Sequence, residues 1–224
     1  MDKSRAARRR NDKDIMRALF ATALLVLLSA CTTPQIHSTV QVREINFKKL
    51  DLRSAGIAFV TPSSVTGQEE DRQALAFTFT EVLQRSRPEL QVLQLPETLS
   101  AINGAGLADD YRAMAEDYRV TGIFERDILR KLAQATKVRY LAQLKLAGFR
   151  QDSRERWGIL GLRIFETKST TLRLFLQIWD SSDGSVAWEG TEELTFSYDS
   201  VSEGTVTFRG AVEQASRELI SRLP

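Results

Sequence analysis

The sequence predicts a mixed α/β fold: a parallel βαβ unit followed by an antiparallel meander, with helices packed on one sheet. Three observations carry this. Two short apolar runs, GIAFVT at 56–61 and LQVLQL at 90–95, are separated by a helical stretch, the spacing of a right-handed parallel crossover. Between residues 138 and 198, segments alternate apolar with polar, the period of half-buried strands. The chain closes on an amphipathic repeat over about 205–223, with Phe208, Val212, Ala215, Leu219 and Leu223 at helical spacing.

In chain order, TVQVREINF at 39–47 alternates weakly and reads as an edge strand. GIAFVT is apolar almost throughout, as a strand covered on both faces must be. Thr66 and Glu69 form a capping box, with Glu70 and Asp71 where a helix dipole favours acids. That helix runs to about Ser86, presents Leu75, Phe79, Val82 and Leu83 inward, and stops before Pro88. Residues 96–136 are helical, broken at Asn103-Gly104 and Thr121-Gly122. VRYLAQLKLAGF at 138–149 is a strand with Val138, Tyr140, Ala142, Leu144 and Leu146 on one face, and the polar RQDSRER after it reads as a connection. Three further strands are expected at 158–166, 171–180 and 185–198, the last two joined by a tight turn at Ser181-Ser182-Asp183-Gly184. In the last of them Glu192 interrupts an otherwise apolar face.

Upstream of all this stands an uncharged run, Ala18 to Ala30, which as a helix rises only about 20 Å, short of a bilayer's hydrocarbon layer. It follows a basic head with Lys3, Arg5, Arg8, Arg9, Arg10, Lys13 and Arg17, and it ends in small residues at Cys31, the only cysteine. Basic head, short apolar middle and small end describe a secretory signal peptide over residues 1–30, read from either Met1 or Met16. Leu28-Ser29-Ala30-Cys31 resembles the lipobox of bacterial lipoproteins, which implies acylation of Cys31 after cleavage before it. Simple cleavage leaving a free thiol, or a buried hydrophobic helix, are the competing readings. The first leaves a reactive thiol in an oxidising compartment, and the second has no use for the basic head. Residue 32 is Thr, not the aspartate that resembles an inner-membrane retention signal, so the outer membrane, periplasmic face, is the expected location.

Residues 31–38 then form a lipidated tether, with 32–38 reaching at most about 25 Å, and 39–224 form a single domain. Seven of the 31 basic and three of the 29 acidic residues precede Cys31, so the remainder carries a net charge of −2. No nucleic-acid partner is expected from that balance. With its one cysteine acylated, the chain forms no disulfide.

The order of elements, with LAQATKVRYLAQLKLAGF at 132–149 and LRLFLQIWDSSDGSVAWEG at 172–190, resembles the domain shared by the lipoproteins CsgG and LpoB and the amino-terminal domain of TolB. The resemblance covers most of the chain after Cys31 and implies binding, assembly or export, with no reactive residue.

The chemistry of the side chains agrees with a non-enzyme. His37, the only histidine, lies in the tether and reads as solvated, so neither a Ser–His–Asp site nor a Cys/His metal site is expected. Gly104-Ala105-Gly106 lacks the lysine of a phosphate loop. Asp180, Asp183 and Gly184 miss the spacing of a calcium loop. The carboxylate pairs Asp109-Asp110 and Glu116-Asp117 read as a solvated helix face, although glycan hydrolysis needs only two such groups. Of the tryptophans that can line a glycan groove, Trp188 reads as core, Trp179 as packed under a helix, and Trp157 is unassigned.

The expectation is therefore a lipid-anchored, non-catalytic envelope lipoprotein that binds other envelope proteins or itself, with no cofactor and no small-molecule substrate. The alternatives are a subunit of an oligomeric outer-membrane secretion pore, with 158–166 and 171–180 as the inserting hairpin; a carboxylate-based cell-wall glycan hydrolase; and an inner-membrane scaffold. A synthase-activating role of the LpoB kind is disfavoured, because the tether is short.

Overall fold

The computed structural model of the protein describes residues 35–45, 49–65, 67–157, 163–200 and 207–224. Residues 1–34, with the expected signal peptide and Cys31, lie outside them. The described chain is mixed α/β, as expected. Seven strands form one sheet in the order β1 (Gln35–Glu44), β7 (Ser185–Ser200), β6 (Arg163–Asp180), β5 (Tyr140–Trp157), β2 (Ile57–Phe59), β4 (Val92–Leu93), and β3 (Ser63–Ser64) pairs with β5 off this path. β2 runs parallel to both β4 and β5, and β5, β6 and β7 form the antiparallel meander.

Alternation along β6 divides the core in two. Leu172, Leu174, Leu176 and Ile178 point to one face, where Leu75 and Phe79 of helix α2 (Glu69–Ser86) and Val212 and Leu219 of helix α6 (Phe208–Ser221) cover them. Trp179 points to the other face, beneath Ile102 of α3 (Leu95–Gly104), Met114 of α4 (Ala108–Thr121) and Leu129 and Leu132 of α5 (Arg126–Thr136). The sheet is thus a middle layer between two helical ones. The hairpin turn after β6 uses Gly184 at φ 78, where an added β-carbon would stand 2.9 Å from Cβ of Arg126.

Several expectations are corrected. Residues 35–38, assigned to the tether, are the start of β1, which ends at Glu44. A short helix, α1 (Lys49–Ala55), follows, anchored by the buried Leu52. The second strand of the crossover is confined to Val92–Leu93, because Gln94 and Glu97 cap α3 reciprocally and Pro96 sits in its first turn. Thr66 lies outside the described residues, and the N-cap of α2 is Gln68, whose side chain does not cap the helix.

The largest correction concerns the meander. The polar RQDSRER is not a connection but the far half of β5, and 163–166 is continuous with 171–180 in β6. The ladder runs from Tyr140↔Asp180 to Trp157↔Arg163, and β7 flanks β6 as far as Glu166↔Ser200. β6 pairs with β5 along all of that half and is flanked by β7 as well from Glu166 onward, which lets a polar sequence stay extended. The pair proposed for pore insertion is therefore not a hairpin, and Leu172, Leu174, Leu176 and Ile178 lie in the core.

Candidate interaction surface

β1 is the feature that stands apart from the packed body. It forms one edge of the sheet, and all ten of its residues are exposed except the half-buried Val40. Its direction follows from two contacts. The Ile45 amide donates to the Ala187 carbonyl at 3.0 Å, near the start of β7, while Ser38 lies beside Glu192 further along it. β1 therefore runs antiparallel to β7. Because Ile45 turns its amide to β7, the alternation of an antiparallel ladder turns the backbone groups of Ile36, Ser38, Val40, Val42 and Glu44 outward. The exposed Ile36, Val42 and Ile45 add apolar surface beside that row. The sequence flagged an edge strand here through its weak alternation, but placed its start four residues late.

A second concave surface lies between α2 and α3. It is a groove of about 590 Å³ lined mainly by apolar atoms, including Ala74, Phe77, Leu95, Pro96 and Leu99. Phe77 is 56 % exposed on the side of α2 away from the core. No sequence signal separated Phe77 from the inward stripe beyond its phase.

The carboxylates weighed for catalysis are dispersed on the outside of α4. Asp109 pairs with Arg112 at 2.8 Å and Asp110 with Lys131 at 2.8 Å, and Glu116 and Asp117 are exposed. The hydrogen bond from Lys131 to Asp110 holds the ammonium pKa above its usual value. His37 is exposed on β1. Among the described residues, no cluster of three or more His, Cys, Asp or Glu is arranged to hold a metal, and no helix is long and apolar enough to cross a membrane.

Asp180 is structural. Arg139 donates from Nε to Oδ1 at 2.9 Å and from Nη2 to Oδ2, and the Ser182 amide donates to Oδ1 at 2.9 Å. Asp183 accepts from the Ser185 amide at 2.9 Å, closing the hairpin turn. Trp188 is fully buried in the α2–α6 core, and Trp179 packs against Phe124, with ring centres 5.2 Å apart. Both fit the sequence reading. Tyr111 and Tyr118 tie α4 to the sheet. Tyr111 accepts from the Thr61 amide and donates to its Oγ1, both at 2.8 Å, and Tyr118 donates to Gln177 at 2.8 Å. Burial raises both phenol pKa values.

Glu192 is the anomaly among the described carboxylates. It is 0 % exposed, on the leucine side of the sheet beneath α6, and neither oxygen has a hydrogen-bonding partner. The Ser38 hydroxyl is close, without the geometry of a hydrogen bond. Burial first, then the charge of Glu218, raises its pKa, with Ser38 and Arg222 opposing.

No family model and no curated protein matches the chain. Solved structures similar to it include the PelC dodecamer from Paraburkholderia phytofirmans, at 13% identity over 84% of this chain and 94% of that one, TM-score 0.43. Another is lipoprotein GNA1162 from Neisseria meningitidis, at 17% identity over 75% and 98%, TM-score 0.38.

Proposed function

We propose that this chain is a non-catalytic protein-binding or assembly module of the bacterial cell envelope, held on the periplasmic face of the outer membrane by an acylated Cys31. Through the β1 edge it takes up a strand from another envelope protein or from a further copy of itself. The observation that supports this is the state of β1. An edge strand with an outward row of amides and carbonyls is a template for a further strand. Natural edges are blocked by proline, lysine or inward charges. QIHSTVQVRE has neither proline nor lysine, and its charged residues, Arg43 and Glu44, sit together at one end.

The resemblance of residues 132–149 and 172–190 to the CsgG, LpoB and TolB group supports the same reading, since that group binds and assembles. Anchoring rests on the Leu28–Cys31 motif and its basic, apolar leader. Acyl chains contribute about 0.8 kcal/mol per buried CH₂, enough for several chains to hold a protein on a bilayer.

The test is photo-crosslinking in intact cells from Ile36, Ser38 and Val42, with adducts identified by mass spectrometry. Adducts to an envelope protein or to the chain itself are expected. Unmodified protein from every β1 position would remove the proposal.

A further inference from the structure

A carboxyl with no exposed surface and no hydrogen-bonding partner is costly to ionise in place. Glu192 is such a group, and its surroundings decide what gives when it ionises. On β6 its cross-strand neighbour is the buried Leu174, and on its own strand the nearest residues of the same face are Gly190 and Leu194. From α6 and the residue that caps it, the charged groups acting on it are Glu218, which opposes its charge, and Arg222, which favours it. From β1 comes the uncharged Ser38, while His37 and Thr39 alternate to the opposite face. β6 and α6 are each fixed by a row of fully buried side chains: Leu172, Leu174 and Leu176 in one, Val212, Ala215 and Leu219 in the other. β1 is fixed by far less, with Val40 its only residue packed against the core. Water reaches Glu192 most cheaply by moving β1.

We propose that Glu192 is a proton-operated latch for β1. With the carboxyl neutral, β1 lies against β7; with the carboxylate formed, β1 leaves the sheet edge and lets water in. Release has two consequences. It opens the β7 edge in place of the β1 edge, changing which strand a partner can pair with. It also frees the ten residues of β1, which extend to about 33 Å, between the folded body and the segment that carries Cys31. The latch does not depend on the anchoring or binding readings above and can fail or hold without them.

Hydrogen exchange of the mature full chain, corrected for the intrinsic effect of pH, reads the latch directly. In the wild type, β1 protection is expected to fall by up to about tenfold per pH unit above the ordinary carboxyl pKa that Glu192 has when β1 is open, levelling off once the closed-state carboxyl ionises too, while amides of 140–146 in β5 keep theirs. Glu192→Gln, which cannot ionise, is expected to hold β1 protection level with pH, and Glu192→Leu, matched to the surrounding leucines, to do the same if the amide is tolerated poorly. Histidine also changes charge near neutrality, so His37→Gln is measured beside them and is expected to keep the wild-type slope. The proposal is overturned if wild-type β1 protection is flat between about pH 5 and 9, if the slope survives in both Glu192 variants, if it disappears in His37→Gln, or if β5 opens together with β1.

Discussion

Gly190 stands where the Trp188 indole needs the space. The two residues share a face of β7, and a β-carbon at 190 would collide with Cη2 of that ring, lie 2.8 Å from Cζ3 and 3.0 Å from Cδ2 of Leu219. Trp188 is the largest of the fully buried side chains. Its place between β7 and α6 therefore exists because the neighbour two residues on has no side chain.

Gly190→Ala is accordingly expected to destabilise the protein even though alanine suits a strand backbone no worse than glycine. Overpacking of this kind costs about 1–3 kcal/mol. Urea unfolding followed by tryptophan fluorescence measures it. A variant as stable as the wild type would mean that the indole moves aside freely.

The Arg139–Asp180 pair gives a prediction with a sign in pH. Burial raises the Asp180 pKa, but the bonds from Arg139 and Ser182 outweigh it and hold the carboxyl below its ordinary value. A carboxylate lowered in the folded state contributes stability above the unfolded pKa of about 3.9 and loses it as pH falls through the folded value. Arg139→Met, which keeps the stem and removes the donors, is expected to cost about 1–3 kcal/mol near neutral pH. Acid unfolding of Asp180→Asn should show a shallower dependence below about pH 4 than the wild type. Equal slopes would contradict the assignment.

Glu192 has the opposite sign. Its pKa is raised by burial, so its penalty is absent below the unfolded pKa and grows as pH rises toward the folded one. Glu192→Leu is expected to gain stability relative to the wild type with increasing pH, reaching a plateau once the native carboxyl is ionised. Thermal unfolding at a series of pH values reads this, and a constant difference between the two proteins would refute it.

Much of this architecture was legible because periodicity survives burial. The stripe Leu75, Phe79, Val82 and Leu83 and the row Leu172, Leu174, Leu176 and Ile178 are all buried, and Pro88 and Gly122 mark helix ends as their chemistry requires. What escaped was decided by neighbours. The far half of β5 is held extended by its ladder with β6, which its polar sequence does not announce. α1 is seven residues long, and Leu52 is the buried one among its described side chains, too little for a pattern. Glu192 was visible as an exception to its strand's alternation, but its want of a partner comes from what α6 and β1 bring to it. Cys31 is singled out by its flanks alone and lies outside the described residues.

The anchor is tested apart from the fold. Labelling with an alkyne fatty acid is expected to mark the wild type and leave Cys31→Ser unmarked, with the variant moving from the membrane to the soluble fraction. Label on the variant, or wild-type protein in the periplasmic extract with an unacylated mass, would end the lipoprotein reading.

Two prolines separate binding at the β1 edge from the integrity of the strand itself. The Ile45 amide faces β7, so alternation turns the Gln41 amide inward and the Val42 amide outward. Val42→Pro deletes a donor that only an added strand would use, and proline is tolerated on an edge with its missing N–H toward solvent. Its stability is expected within about 0.5 kcal/mol of the wild type, while crosslinks from Ile36 and Ser38 disappear. Gln41→Pro removes a bond to β7 and is expected to cost about 1–3 kcal/mol and to expose Glu192 to solvent. Crosslinks that persist in Val42→Pro would show that partners reach this chain by another surface, with the groove beside Phe77 the next to probe.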